Sequence, residues 1–418
     1  MFKGKSPTFK RNSIILLILG ILMYYVFCVT VGEQISILAA YLPGETGWNP
    51  SSIVQPITMA GLVAIALTFV CNTAFMKFNA KWIIAGVTAI VGVGFILIGV
   101  SSVSVNFILF FVVLFVIRAL VTFLNNGCNY LCGNWFIKNR GKALGIVTIG
   151  GPLSSATFVA LATLGINGSL GFSGVYYVFG VCIIIIAIVM GFFLKNSPVD
   201  VGEHPDGDTW TDETVSTTEN HGIPFSALLK RVDTWLLVLS FGLLTFGSGC
   251  VTAYFSATMI AKEVPATLYL PALVVGAVLG TPISYILGVI DDKFGTVKAS
   301  LCLCGLYAIC FFGIIMTNRT SIVPVAIATF GMAGVTGGAP NLTPSINYYV
   351  FGRRNYLAAT RIVGTLQSVI GTFAVMFITA FVSSGHTNLG YILLIAMVAV
   401  AAIALLMLGK IHPERADQ

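Results

Sequence analysis

WIIAGVTAIVGVGFILIGVSSVSVNFILFFVVLFVI, residues 82–117, contains no charged side chain. About 20 consecutive apolar residues suffice for a helix to cross the hydrocarbon core of a bilayer. This tract holds enough for one crossing and most of a second, divided by its serine- and asparagine-bearing middle. Apolar and polar residues do not alternate with a period of two, so the segments read as helices and a transmembrane barrel is rejected.

Outward from this tract the pattern repeats. Residues 46–76, 143–194, 299–318 and 362–409 are comparable uncharged stretches. Of the 418 residues 57% are hydrophobic and 9% charged, and the mean hydropathy is +0.96, whereas about a quarter of a soluble protein is charged. Polar, Gly- or Pro-bearing breaks predict spans near 13–42, 52–75, 82–101, 105–135, 141–164, 173–195, 232–259, 268–290, 298–317, 322–350, 357–383 and 388–410. The predicted fold class is an all-α membrane protein with twelve transmembrane helices. Lys3, Lys5, Lys10 and Arg11 precede an apolar run too long for a signal-peptide core, which is expected to remain as the first span.

The basic residues orient the chain, because short cytoplasmic loops retain Lys and Arg. With the N-terminus inside, Lys262 and Arg319 are the only ones of the 22 Lys and Arg assigned to the exterior, while Arg118 and Arg361 lie within spans. Both termini are therefore expected in the cytoplasm, in a multi-pass protein of the cell membrane. The net charge of +7 is a topology signal and does not point to nucleic acid.

Residues 196–229, NSPVDVGEHPDGDTWTDETVSTTENHGIPFSALL, hold acids but no Lys or Arg. The domain reading is a six-helix bundle at 1–195, a cytoplasmic linker at 196–230 and a second bundle at 231–418. The acidic, Thr-rich middle of the linker buries too little apolar area to fold alone and is expected to be disordered between short ordered ends. The halves echo each other. Lys77-Phe78 after span two matches Lys293-Phe294 after span eight, and Arg140 after span four matches Arg354 after span ten, at nearly one offset. Duplicated halves are the plan of many secondary transporters.

All nine cysteines fall inside predicted spans, where a free thiol acts as a small hydrophobe, and no disulfide is expected. Cys128 and Cys132 have a spacing that fits a shared metal, but no His or acid accompanies them, so no metal or cofactor is predicted. The four histidines lie in loops or tails. Without a buried histidine, a pair of intramembrane acids or an H-E-x-x-H motif, enzymatic function is not expected.

Three ionisable residues fall at membrane depth: Glu33, Arg118 and Arg361. Each costs at least about 2.5 to 3.5 kcal/mol at a helix centre, which marks it as a candidate for function. Arg118 lies near the midplane, about 20 Å down. Thr122, Asn125 and Asn129 continue its helical face, and such a stripe suits the wall of an aqueous cavity. The alternative is an arginine that ties helices together through carbonyls. Arg361 lies a few residues into span eleven, where snorkelling is feasible. Tyr24 and Tyr25 in span one, Thr245, Ser248 and Thr252 in span seven, and Asn341, Ser345 and Tyr348 in span ten are further polar candidates. Each of these alone is also readable as helix packing. Gly276, Gly280, Gly331, Gly334 and Gly338 read as close-packing positions.

Twelve spans, a central linker and the run Gly288, Asp292, Lys293 and Gly295 after span eight resemble the major facilitator superfamily, whose loops there follow G-x-x-x-D-[RK]-x-G. Trp135-Phe136, Arg140-Gly141-x-Ala143-x-Gly145 and Pro198-x-x-Val201-Gly202-x-x-Pro205-Asp206-Gly207 are similar to the oxalate-formate antiporter and monocarboxylate porter branch. The resemblance implies two pseudo-symmetric bundles, gating by the 288–295 motif, and spans one, four, seven and ten around a central cavity. That cavity would be lined by Arg118, Arg361, Tyr24, Asn125, Asn129, Asn341, Ser345 and Tyr348. Span eight carries Ser284 where oxalate antiporters carry a basic clamp, and the drug-exporter motif of span five is matched only by Gly151-Pro152.

With spans one and four adjacent, Glu33 is expected to pair with Arg118 in the empty carrier and to release the guanidinium on protonation. A permanent structural ion pair is the alternative. The function implied is alternating-access transport of a small organic anion, a monocarboxylate first, by proton symport or anion exchange. An exporter of drug-like or apolar solutes and a non-transporting receptor are the competing readings. The expected partners are the anion, a proton and the lipid bilayer, with the carrier a monomer and no nucleic acid involved.

Overall fold

The computed structural model describes residues 5–136, 140–207, 228–319 and 322–411, apart from the side chains of a few residues within them. It contains twelve helical segments long and apolar enough to cross a membrane, from Pro7–Thr46 to Thr387–Ile411. Two compact units divide the chain, Met1–Glu219 and Asn220–Gln418. Large apolar side chains such as Ile108, 76% exposed, and Phe192, 73% exposed, cover the outer faces of the spans. Against hydrocarbon such surfaces carry no penalty.

In the first unit span one is α1 (Pro7–Cys28), a π-helical turn (Val29–Glu33) and α2 (Gln34–Thr46). Ser6 starts α1 by accepting from the Phe9 N–H at 3.0 Å, which satisfies one of the free amides of the first turn. Spans two and three are α3 (Pro50–Lys77) and α4 (Ala80–Val103). Span four comprises α5 (Phe107–Leu120) and α6 (Thr122–Trp135), which meet at Val121. Then come α7 (Arg140–Val147) and α8 (Gly150–Asn167), which together make span five, and α9 (Gly171–Phe193), which is span six.

The linker's first residues are folded against this unit. Two short 3₁₀ turns, Pro198–Val201 and Pro205–Gly207, follow span six. Ser6 donates to Glu203 at 2.5 Å, and the Trp135 indole donates to the Lys195 carbonyl at 3.3 Å. Gly202 and Gly207 of the linker motif sit at φ +73° and +64°, a region that glycine enters without a Cβ clash. The acidic middle of the linker, residues 208–227, lies outside the described residues.

In the second unit α10 (Val232–Ala261), α11 (Ala266–Phe294) and α12 (Thr296–Met316) are spans seven to nine. Two boundaries differ from the sequence expectation. Residues 291–294, beyond the expected end of span eight, continue α11, and the turn narrows to Gly295 at φ +94°. α13 runs Ile322–Thr372 as one helical element with Pro340 and Pro344 inside it, and the basic segment between spans ten and eleven is helical. That segment, residues 352–358, has no Pro and includes Arg, Leu and Ala, all good helix formers. α14 (Ala374–Ser383) and α15 (Thr387–Ile411) complete the unit.

Glycines let backbones touch inside each unit. A Cβ at Gly92 would lie 2.9 Å from the Gly180 carbonyl oxygen, and one at Gly180 2.7 Å from that of Gly92, so spans three and six meet backbone to backbone. Gly331 would meet the Cys310 amide nitrogen at 2.3 Å and Gly334 the Leu306 side chain at 2.6 Å, as the close-packing reading expects.

Candidate functional site

The π turn in span one organises the polar interior of the first unit. The Gln34 N–H reaches back to the Val29 carbonyl, five residues away, instead of to Thr30. The Thr30 carbonyl accepts from Arg118 Nη1 at 3.4 Å. The inserted residue also rotates Glu33 toward span five, where its carboxylate accepts a short hydrogen bond from the Ser155 hydroxyl. Glu33 is 6% exposed.

The expected Glu33–Arg118 pair is therefore not formed here. Carboxylate and guanidinium are held by different partners, because the bulge turns the acid onto span five while offering a carbonyl to the arginine. Arg118 Nε is buried without a hydrogen-bond partner. Among the described residues its charge faces the Thr30 carbonyl dipole and no carboxylate.

Below Arg118, the Thr122 hydroxyl lies 3.4 Å from that of Thr68 on span two, and Asn126 donates to the Thr122 carbonyl at 3.0 Å. Asn129 donates to the Asn125 carbonyl at 3.1 Å. Asn125 is half-buried and Asn129 exposed, so the stripe has an open side. Tyr24 is half-buried with its ring 5.6 Å from Phe27, and Tyr25 shares a 3.0 Å hydrogen bond with Thr157 of span five.

In the second unit Ser345 donates a short hydrogen bond to Asp291 and lies 3.4 Å from the Thr296 hydroxyl. Its hydroxyl thus ties span ten to the end of span eight. Tyr348 is 54% exposed. The side chains of Arg361, Asn341 and Asp292 lie outside the described residues. Of the gating motif, Gly288 and Lys293 lie on α11, and Gly295 makes the turn into α12.

Two basic groups outside the spans are held locally. Arg231, just before span seven, forms a 2.5 Å ion pair with Asp233 and stacks 5.5 Å from the Phe351 ring. The hydrogen bonds that Arg231 donates to the Asp233 carboxylate raise the arginine's pKa. Lys262, just after span seven, donates to the Ile315 and Thr317 carbonyls and, at 2.7 Å, to Asn388 Oδ1. Burial pulls its pKa down to about 8.

Sequence reasoning did not assign roles to Ser155, Thr30 and Gln34. No composition signal marks a π turn, so the Thr30 carbonyl could not be anticipated.

Twelve membrane-spanning helices in two six-span units, with intramembrane charge held by a helix irregularity, define a polytopic membrane carrier. The chain belongs to the Major Facilitator Superfamily, which residues 16–353 match. A bacterial homolog of the human lysosomal transporter Spinster, inward-facing and unoccupied, is similar in fold, with 13% identity, a TM-score of 0.66 and 98% of each chain covered. The nucleoside transporter NupG is similar with 12% identity, a TM-score of 0.69, and coverage of 96% of this chain and 99% of its own. At that identity the likeness extends to the fold alone. No curated protein matches the chain at the sequence level.

Proposed function

We propose that this transporter carries a small organic anion, a monocarboxylate first, and that Arg118 is the group against which the carboxylate docks. One observation carries the reading: the Arg118 guanidinium has no acidic partner among the described residues, and its Nε is buried unbonded. A buried unpaired charge is costly, and a carboxylate that accepts two parallel N–H bonds relieves that cost. Asn125 and Asn129 supply neutral hydrogen-bonding groups along the same helix face. Glu33 is the proton-coupling candidate. With Arg118 left positive, a proton taken up on Glu33 accompanies the anion and keeps the transported charge low. Arg361, Tyr24, Asn341, Ser345 and Tyr348 complete the candidate contacts, and the 288–295 motif is the candidate gate.

The test is a thermal-stability screen of the purified full chain with acetate, lactate, pyruvate and oxalate beside their neutral amides. A ligand at a hundred times its Kd adds about 2.7 kcal/mol to stability. The expected result is stabilisation of the wild type by a carboxylate and none of an Arg118→Gln variant. Equal stabilisation of both proteins, or stabilisation by the amide as strongly as by the acid, overturns the assignment.

A further inference from the structure

We propose that Glu33 exchanges its proton through a hydrated seam inside the first unit, between spans one, five and six, lined by Gln34, Tyr176 and Thr163. This rests on the reading of Glu33 as the proton-coupling residue.

Gln34, Tyr176 and Thr163 are all buried, and the Gln34 amide nitrogen and oxygen, the Tyr176 hydroxyl and the Thr163 hydroxyl have no hydrogen-bond partner. Buried polar groups are seldom left without partners, and water supplies them where the protein does not. The Gln34 side chain lies within interaction range of the Tyr176 phenol but not in the geometry of a regular hydrogen bond, so a water bridging the two would complete both.

Ser155 and Thr163 are both buried residues of α8. At one end is the Ser155–Glu33 hydrogen bond. Thr163 lies eight residues further along span five, about 12 Å at 1.5 Å per residue. At the end of α8 Asn167 donates to the Tyr41 hydroxyl at 3.3 Å, and Asn167 is exposed. Tyr41 follows Gln34 by seven residues, two turns on the same helical face. A distance of about 12 Å takes about four hydrogen-bonded steps of 2.8 Å each, which these side chains and the waters between them provide. The other ionisable groups that face Glu33 are Tyr25 and Cys28 of its own span, and Arg118 of α5 reaches the same π turn at Thr30. Arg118 is engaged by Thr30, Tyr25 by Thr157, and neither they nor Cys28 form an ion pair or hydrogen bond with the Glu33 carboxylate.

The test uses rapid-mixing infrared spectroscopy on the full chain in lipid nanodiscs, stepped from about pH 9 to about pH 5, a range that brackets a perturbed carboxyl. The Glu33 band is the protonated-carboxyl signal that a Glu33→Gln variant lacks. In a Gln34→Leu/Tyr176→Phe double variant the band is expected to reach its wild-type amplitude about tenfold more slowly, because a hydrogen-bonded step is removed. Thr163→Val, which replaces one hydroxyl by a methyl group, slows it in the same direction and serves if the double variant does not fold. An unchanged rate in the folded variants overturns the seam while leaving Glu33 as the proton site. A wild-type spectrum with no band that Glu33→Gln removes overturns the proton-coupling reading itself, and the seam with it.

Discussion

Replacing Gly150 by alanine tests whether spans one and five are locked backbone to backbone. The new Cβ would lie 2.4 Å from the Ile21 carbonyl oxygen and 2.8 Å from the Tyr25 amide nitrogen. Ordinary contact begins near 3.4 Å, so the helices must separate by about 1 Å, and both obstructing atoms are main chain that no rotamer change can move. Such overpacking costs about 1 to 3 kcal/mol. Alanine's better helix propensity returns up to about 1 kcal/mol. Because both contacts are with main chain, the cost falls in the upper part of that range, about 2 to 3 kcal/mol, and the net expectation is a loss of about 1 to 2 kcal/mol. Five residues along span five, about 7.5 Å away, the Ser155–Glu33 hydrogen bond shares the same interface and is expected to lengthen. The assay is SDS-induced unfolding of the purified full chain. Gly86→Ala is the control, because Gly86 is exposed and has nothing within 4 Å of its would-be Cβ. Destabilisation of Gly150→Ala but not Gly86→Ala supports the close approach. A Gly150→Ala protein as stable as the control refutes it, since the two helices would then move apart without cost.

Lys262 links stability to alkaline pH. Below about pH 8 it is protonated in both the folded and the unfolded chain, and the fold bears the cost of the buried charge. As pH rises through 8, the folded lysine releases its proton while the unfolded one, with a pKa of about 10.4, keeps it, so stability increases across that window. A melting temperature that rises from about pH 8 to about pH 10 in the wild type, but not in Lys262→Met, is the expected outcome of a pH-resolved thermal melt. Gly295 sits at φ +94° and ψ 157°, a region essentially reserved for glycine. Gly295→Ala is expected to lose about 1 to 3 kcal/mol in SDS unfolding, whereas Gly305→Ala, with open space around it, loses none.

Much of the architecture was legible because insertion into a bilayer is a local property of each segment. Residues 82–117 and their counterparts announce spans by length and hydropathy alone, and the count of twelve needs no knowledge of which helix touches which. Arg118 and Glu33 were equally visible as charges in apolar runs. Their partners were not. A single inserted residue between Val29 and Glu33 turns the carboxylate by about 100° and frees a carbonyl, and no residue type encodes that change by itself. Similarly, the Arg-rich segment after span ten reads as a loop by charge yet keeps helical bonding, since charge and helix propensity are independent properties of the same residues.

By itself the sequence determined the twelve spans and singled out Glu33 and Arg118 as charges within apolar runs, because transfer free energies add up residue by residue along the chain. Only the tertiary structure decided that Glu33 rests on Ser155 and Arg118 on the Thr30 carbonyl. Those pairings depend on the rotation of helices about their axes and on a backbone irregularity, which arise from packing between segments distant in sequence.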